Sequence, residues 1–118
     1  MQEIIFYRSP GGRSPVQEFL DDLEARHAGK VTRAIGLVRA NWPSIGMPHV
    51  EKLCDDIWEL RTPSRGGTCR ILFSVDPDNK AIIFLHGIMK KSTKFPENDI
   101  RIAVQRLRDF VSRRGSGG

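Results

Sequence analysis

The chain has 118 residues, of which 39% are hydrophobic and 28% are charged, a composition ordinary for one soluble globular domain. No apolar run approaches the ~20 residues that a membrane-spanning helix needs, and the N-terminal residues lack a basic segment followed by an apolar one. We therefore expect a cytoplasmic protein without a membrane partner. The net charge of +5 favours a polyanion such as nucleic acid, or an acidic protein, as partner.

The first half of the chain predicts one strand and two helices. Residues 2–8 include four consecutive apolar or aromatic residues, which is typical of a strand. A helix is expected over 14–27, because serine and proline stand at its start. Gly29 marks the predicted joint to a second helix over 30–42. Since this joint is too short to hold a strand, the two helices are expected to form an antiparallel hairpin.

The second half predicts a small sheet and a last helix. Short turns join three apolar segments, which are therefore expected to be antiparallel neighbours: 57–62, 68–75 and 81–89. A final helix begins near Pro96, with acidic residues in its first turn. The predicted fold class is therefore α+β. The chain is expected to form a single domain over 1–114, followed by a flexible tail at 115–118.

Two arginines lie inside the predicted strands rather than at their ends. Alternation places Arg61 on the same face of its strand as Glu59, and Arg70 on the face opposite to the most apolar residues of its own strand. We expect a half-covered sheet with both arginines on the less covered face. Two interpretations stay open. The arginines form a structural ion pair with Glu59, or they form the floor of an open groove that binds phosphate.

A lysine cluster follows the third predicted strand: Lys90, Lys91 and Lys94. It is either a solvated run of charge or part of an anion site. A lysine in an electropositive pocket can neutralise a phosphate or transfer a proton. Because the preceding strand is expected to pair beside the strand of Arg70, both basic groups can share one groove.

His86 and Trp58 each allow two interpretations. His86 is either a hydrogen-bonded structural residue or a proton-transfer group, because the unperturbed pKa of histidine lies near neutrality. Trp58 is either a core residue or a platform on which a base stacks. The cysteines and histidines have no metal-ligand spacing, so we expect neither a metal site nor a cofactor. The pattern predicts a metal-free basic groove for the phosphates of RNA or DNA.

Five short motifs are spread over most of the chain. They are Lys52-Leu53, Ile57-Trp58-Glu59-Leu60-Arg61, Arg70-Ile71-Leu72-Phe73, Leu85-His86-Gly87-Ile88-Met89-Lys90-Lys91 and Lys94-Phe95-Pro96. Together they resemble the HigB-type, phage-related branch of the RelE/ParE superfamily of bacterial type II toxins. The resemblance implies a RelE-like fold, in which a helical hairpin and a C-terminal helix flank a small sheet. It also implies ribosome-dependent cleavage of mRNA, which inhibits translation, and neutralisation by a cognate antitoxin. That antitoxin is expected to be a helix-turn-helix protein encoded by an adjacent gene.

The same resemblance implies roles for individual residues. The family chemistry is metal-free: the ribose 2′-hydroxyl attacks the adjacent phosphate and the 5′-oxygen leaves. By matching position, Arg61 and Arg70 are expected to bind the scissile phosphate. The candidates for a catalytic role are Arg61, Arg70, Lys94 and His86, and the candidates for RNA binding are Lys90, Lys91, Arg65 and Trp58.

Two departures from the family pattern leave questions open. Many relatives carry a tyrosine or histidine near the C-terminus, which this chain lacks, so the general base remains open among His86, Glu59 and a lysine of shifted pKa. Phe95 stands where the branch often has a threonine that caps the last helix. Two alternative functions remain: inhibition of a protein target such as DNA gyrase, as in the ParE branch, and non-catalytic RNA binding.

Overall fold

The computed structural model describes residues 2–44, 49–92 and 94–117, with the backbone alone for 115–117. Within these ranges the chain forms an α+β fold of five strands and three helices. In chain order they are β1 (Glu3–Phe6), α1 (Pro15–Asp21), α2 (Ala25–Asn41), β2 (Val50–Cys54), β3 (Ile57–Ser64), β4 (Gly67–Asp76), β5 (Ala81–Lys90) and α3 (Glu97–Gly117). The predicted fold class is confirmed.

The five strands form one mixed sheet in the order β1-β5-β4-β3-β2. Strands β2 to β5 are antiparallel neighbours, as the short turns predict for β3 to β5, and β1 pairs in parallel with β5. The central strand is β4, which therefore has a neighbour on each side. All of its residues from 69 to 74 are buried, and Arg70 is one of them.

Helices cover both faces of the sheet. On one face, Cys69, Ile71 and Phe73 of β4 pack with buried valines of α1 and α2, as the alternation predicts. On the other face, Leu72 of β4 packs in a second cluster with Ala103 of α3. The prediction of a half-covered sheet is therefore wrong, because α3 lies across the face that carries the arginines.

The break between the first two helices differs from the prediction. It lies at residues 22–24 rather than at Gly29, which is inside α2. A glycine within a helix costs only about 1 kcal/mol relative to alanine. That cost is outweighed by the burial of one side of α2 against the sheet, at His27, Val31 and Val38.

One further element is missing from the prediction, and another extends beyond its predicted end. β2 was not predicted, because two of its five residues, Glu51 and Lys52, are charged and mask the apolar pattern of an edge strand. α3 continues to Gly117 and so includes most of the predicted tail. Gly118 lies outside the described residues.

A β-bulge in β5 reverses the alternation of its side chains. Phe73 pairs with Phe84 and Leu72 pairs with His86, so Leu85 is the extra residue. Leu85 and His86 consequently both face α3: Leu85 packs in the α3 cluster, and His86 contacts an aspartate of that helix. Bulges commonly redirect side chains beside functional sites, and here the bulge turns the end of β5 towards the start of α3.

Gly87 of β5 packs directly against the Phe19 side chain of α1. A Cβ atom at this position would lie 2.5 Å from Cδ2 of Phe19 and 3.0 Å from its Cγ. We expect Gly87→Ala to lower the free energy of unfolding by about 1–3 kcal/mol, the usual cost of overpacking a core, as measured by urea denaturation. Gly36→Ala is the control, because a Cβ there meets nothing within 4 Å. Equal stability of the Gly87 variant and the wild type would contradict this tight contact.

Candidate functional site

Arg61 of β3 and Arg70 of β4 are direct cross-strand partners, and the buried Glu59 lies between them. Nε of Arg61 is 3.5 Å from one oxygen of the Glu59 carboxylate, and Nη1 of Arg70 is 3.5 Å from the other. Charge-assisted hydrogen bonds are usually about 2.7–2.9 Å long. Both contacts with Glu59 are therefore loose, and the guanidinium groups keep hydrogen-bonding capacity for another anion.

The two arginines differ in exposure. The Arg61 side chain is 31% exposed and also contacts Glu51 of β2, with 3.3 Å between Nη1 and Oε2. The Arg70 side chain is only 6% exposed, and its Nη2 donates to the Ser92 carbonyl oxygen over 3.2 Å. Arg70 therefore forms the ion pair with Glu59 that was one of the two open interpretations, and it lies nearly buried in the central strand beneath the chain that enters α3.

Burial governs the electrostatics of Glu59, whose side chain is 1% exposed. Burial raises the pKa of Glu59, and the positive charges of Arg70 and Arg61 oppose that rise. Glu51 adds a second carboxylate that the sequence did not bring into the site. The two glutamates therefore balance the two arginines, and a net positive charge at the site requires a further cation.

Lys94 supplies that cation at a cleft above the arginine pair. The cleft has a volume of about 170 Å³ and is lined by Glu51, Leu53, Glu59, Arg61, Arg70, Lys94, Phe95 and Pro96. Nε of Arg70 is fully buried and has no hydrogen-bond partner among the described residues. Three cations, Arg61, Arg70 and Lys94, line the cleft beside the two carboxylates of Glu51 and Glu59, so the lining has a net positive charge that suits an anion such as a phosphate.

The other predicted RNA-binding cations, Lys90, Lys91 and Arg65, do not line this cleft. Lys90 forms an ion pair with Asp99 of α3, with 2.7 Å between Nζ and Oδ2. Lys91 is exposed and has no ion-pair partner in the described part of the chain. Arg65 is exposed in the β3–β4 turn.

Trp58 lies on the opposite face of the sheet from the arginines. It packs against the core shared with α1 and α2, and its ring contacts Trp42 edge to face, with 5.4 Å between the centroids. Nζ of Lys52 lies 5.2 Å from the ring centroid. Of the two interpretations of Trp58, this placement favours the core residue, since the ring does not join the cleft.

Both ring nitrogens of His86 are engaged by α3. Nε2 is 2.8 Å from Oδ1 of Asp99, and Nδ1 is 3.3 Å from Nη1 of Arg106. Because a guanidinium can only donate, Nδ1 accepts and Nε2 carries the proton that it donates to Asp99. His86 therefore serves as a neutral link between β5 and α3, and it is poorly placed to act as a general base.

This arrangement makes the stability of the fold depend on pH. Burial lowers the pKa of His86 below its ordinary 6.5, so the unfolded chain takes up a proton at a pH where the folded chain does not. The contribution of His86 to the stability of the fold is then fully present above pH 6.5, the ordinary pKa of histidine. It is lost as the pH falls through the lower pKa of the folded state. We expect the melting temperature to fall between about pH 7.5 and pH 5.5, and to fall less steeply in His86→Gln. Equal slopes would contradict the neutral link.

Asp99 stays ionised throughout that range. Burial would raise its pKa, but the hydrogen bonds from Lys90 and His86 prevail and hold the pKa of Asp99 below its usual value. In the sequence Asp99 is one of the acidic residues in the first turn of the last helix. The β5 bulge, which no local pattern predicts, is what brings His86 into its reach.

A metal site and a membrane span were both sought in the part of the chain that the structure describes. Within residues 2–44, 49–92 and 94–117, no group of three or more histidine, cysteine, aspartate or glutamate side chains is placed to hold a metal ion. None of the helices in the same ranges combines the length and the apolar character needed to cross a bilayer.

Known proteins resemble this chain over the region that contains the cleft. Residues 18–108 match the family described as "Phage derived protein Gp49-like (DUF891)". The chain is 37% identical over 93 residues to "Putative toxin HigB3" of Mycobacterium tuberculosis (strain ATCC 25618 / H37Rv), a match that covers 75% of this chain and 80% of the relative. The similarity to HigB-type toxins that the motifs indicate is confirmed, and the chain belongs to the Gp49-like family of phage-derived proteins.

Proposed function

We propose that this chain is the toxin of a type II toxin–antitoxin pair and that it cleaves mRNA on the translating ribosome. Membership of the Gp49-like family and similarity to a HigB toxin support the toxin role. The observation that carries the nuclease role is the cleft. Arg61, Arg70 and Lys94 line one small cavity there, and guanidinium groups suit the geometry of phosphate oxygens.

The proposed reaction is an in-line attack by the ribose 2′-hydroxyl on the adjacent phosphate. The new bond joins the 2′-oxygen to phosphorus and the bond to the 5′-oxygen breaks, which leaves a 2′,3′-cyclic phosphate and a 5′-hydroxyl. Arg61 and Arg70 stabilise the negative charge that develops on the phosphate oxygens, the kind of stabilisation that is usually the largest catalytic term. Lys94, which lines the cleft, acts as the general acid that donates a proton to the departing 5′-oxygen.

Glu59 is the best-placed candidate to accept the 2′-hydroxyl proton. It lines the cleft together with both arginines, whereas His86 has both ring nitrogens engaged. Burial raises the pKa of Glu59, and a carboxylate of raised pKa is a stronger base. The ribosome contributes by holding the mRNA in a reactive orientation, which compensates for a sparse acid–base set.

The proposed partners are the translating ribosome, mRNA and an antitoxin, which we expect to be a helix-turn-helix protein encoded by an adjacent gene. Lys91 and Arg65 are exposed cations, and such charges mainly add salt-sensitive attraction to the RNA backbone. Lys90 contributes less, because Asp99 already neutralises it.

Induction of the gene in growing bacteria tests this function. We expect incorporation of labelled methionine to stop within minutes, without prior induction of the DNA-damage response. The control is Arg33→Ala, which removes an exposed arginine of α2 and should leave the arrest intact. A DNA-damage response that precedes any loss of translation would instead indicate a gyrase-type target, and growth without harm would contradict the toxin role.

A further inference from the structure

Phe95 is an exposed aromatic side chain at the mouth of the cleft. It is 55% exposed, belongs to neither core cluster, and stacks on no other ring among the described residues. The adjacent Pro96 is buried and fixes the backbone at the base of the phenylalanine. Single exposed apolar residues are ordinary, so the position of Phe95, rather than its exposure, carries the inference.

Phe95 lies between two neighbouring cavities. It lines the cleft of Arg61 and Arg70, and it also lines a second cavity of about 140 Å³ together with Lys90, Lys94, Glu97 and Asn98. Lys94 is the other residue that the two cavities share. A phosphate held by the arginines would therefore have an aromatic ring directly beside it, with a further space beyond the ring.

We propose that Phe95 stacks on the nucleobase next to the phosphate in the cleft, and that the amide of Asn98 contacts the edge of that base. The inference rests on the proposed function and names a base-binding subsite for it. Single-stranded RNA is generally recognised by stacking of unpaired bases on aromatic rings and by hydrogen bonds to their edges. Asn98 is exposed, and its side chain has no hydrogen-bond partner within the described residues.

The charge around the ring suits a nucleotide better than an apolar protein contact. The two cavities are lined by four cations, Arg61, Arg70, Lys90 and Lys94, and by three carboxylates, Glu51, Glu59 and Glu97. A base that stacks on Phe95 brings its own phosphate to this net positive surface. A purely apolar side chain from a protein partner would bring no anion to it.

Binding of an uncleavable RNA tests the subsite without any need for catalysis. The probe is a short 2′-O-methyl RNA, which lacks the attacking hydroxyl. Its binding is measured by fluorescence anisotropy, and every variant is compared at the same salt concentration because phosphate contacts depend on salt. We expect Phe95→Ala to weaken binding roughly 5- to 150-fold, the range for loss of one stacked base. Phe95→Tyr should restore most of the affinity and Phe95→Leu should not. Val111→Ala, at another exposed apolar position, should bind like the wild type.

The outcomes separate this inference from the proposed nuclease function. Wild-type affinity in Phe95→Ala, or equal rescue by leucine and tyrosine, would overturn base stacking even if the wild type cleaves mRNA. Unchanged RNA affinity with loss of antitoxin binding would overturn it in favour of a protein contact. If the wild type binds the probe through Phe95 but never cleaves mRNA with ribosomes, the subsite stands and the nuclease function fails. Altered base preference in Asn98→Ala would support the edge contact, and an unchanged preference would remove Asn98 from it.

Discussion

Arg61→Ala is expected to reduce mRNA cleavage by about 100- to 1,000-fold, the usual cost of removing one donor that stabilises transition-state charge. The Arg61 side chain is partly exposed in the cleft, and its contacts with Glu51 and Glu59 are long. Removal of Arg61 leaves the Arg70–Glu59 pair in place. Because Glu59 keeps its pair with Arg70, and a solvent-accessible pair such as Arg61–Glu51 contributes only about 0–1 kcal/mol, the fold should remain intact.

The comparison for Arg61→Ala needs a variant with the same change of charge. Arg33→Ala provides it on α2, the helix on the opposite face of the sheet. Both variants should melt within a few degrees of the wild type, as measured by circular dichroism. Full cleavage by Arg61→Ala, at a protein concentration where the wild type is active, would exclude Arg61 as a ligand of the scissile phosphate.

Arg70→Ala is expected to destabilise the fold by about 3 kcal/mol, the lower end of the cost of breaking a buried ion pair. Arg70 is almost fully buried in the central strand and faces the buried Glu59. It also ties the chain before α3 to the sheet through the Ser92 carbonyl oxygen. The lower end applies because Arg61 still faces Glu59 in the variant. A decrease in melting temperature of about 10 °C should accompany it.

A second variant shows whether the loss comes from unbalanced charge. In Glu59→Gln/Arg70→Met both buried charges are removed, and apolar or neutral replacements of a buried pair are often neutral for stability. This double variant should recover most of the stability lost in Arg70→Ala, as measured by urea denaturation. Wild-type stability of Arg70→Ala itself would contradict the structural role of the pair. Because Arg70→Ala is expected to destabilise the fold, loss of toxicity in this variant does not by itself identify Arg70 as a phosphate ligand.

The sheet was the part of the fold most readily predicted from the sequence. Strands β3, β4 and β5 are apolar segments bounded by turn residues, and each prediction agrees with the structure to within two residues. The helix break was misplaced because Gly29 resembles a helix end, while burial of one side of α2 keeps the helix continuous through it. Such tertiary packing is not visible to local propensity.

The composition of the site was predicted better than its exposure. The pairing of Arg61 with Arg70 follows from strand alternation and short turns, and the structure places them in register. The burial of Arg70 could not be predicted, because it depends on β4 being central and on the position of α3. The contacts of both His86 ring nitrogens with α3 depend on the bulge in β5, which inserts one residue without any local sequence pattern.

Primer extension on a reporter mRNA, with purified protein and with or without translating ribosomes, tests the central claim most directly. We expect cuts that appear only with ribosomes, that leave a 5′-hydroxyl on the downstream fragment, and that disappear in Arg61→Ala but persist in Arg33→Ala. Intact mRNA in both reactions, or equal cutting by Arg61→Ala, would contradict the proposal that this cleft binds and cleaves at the scissile phosphate.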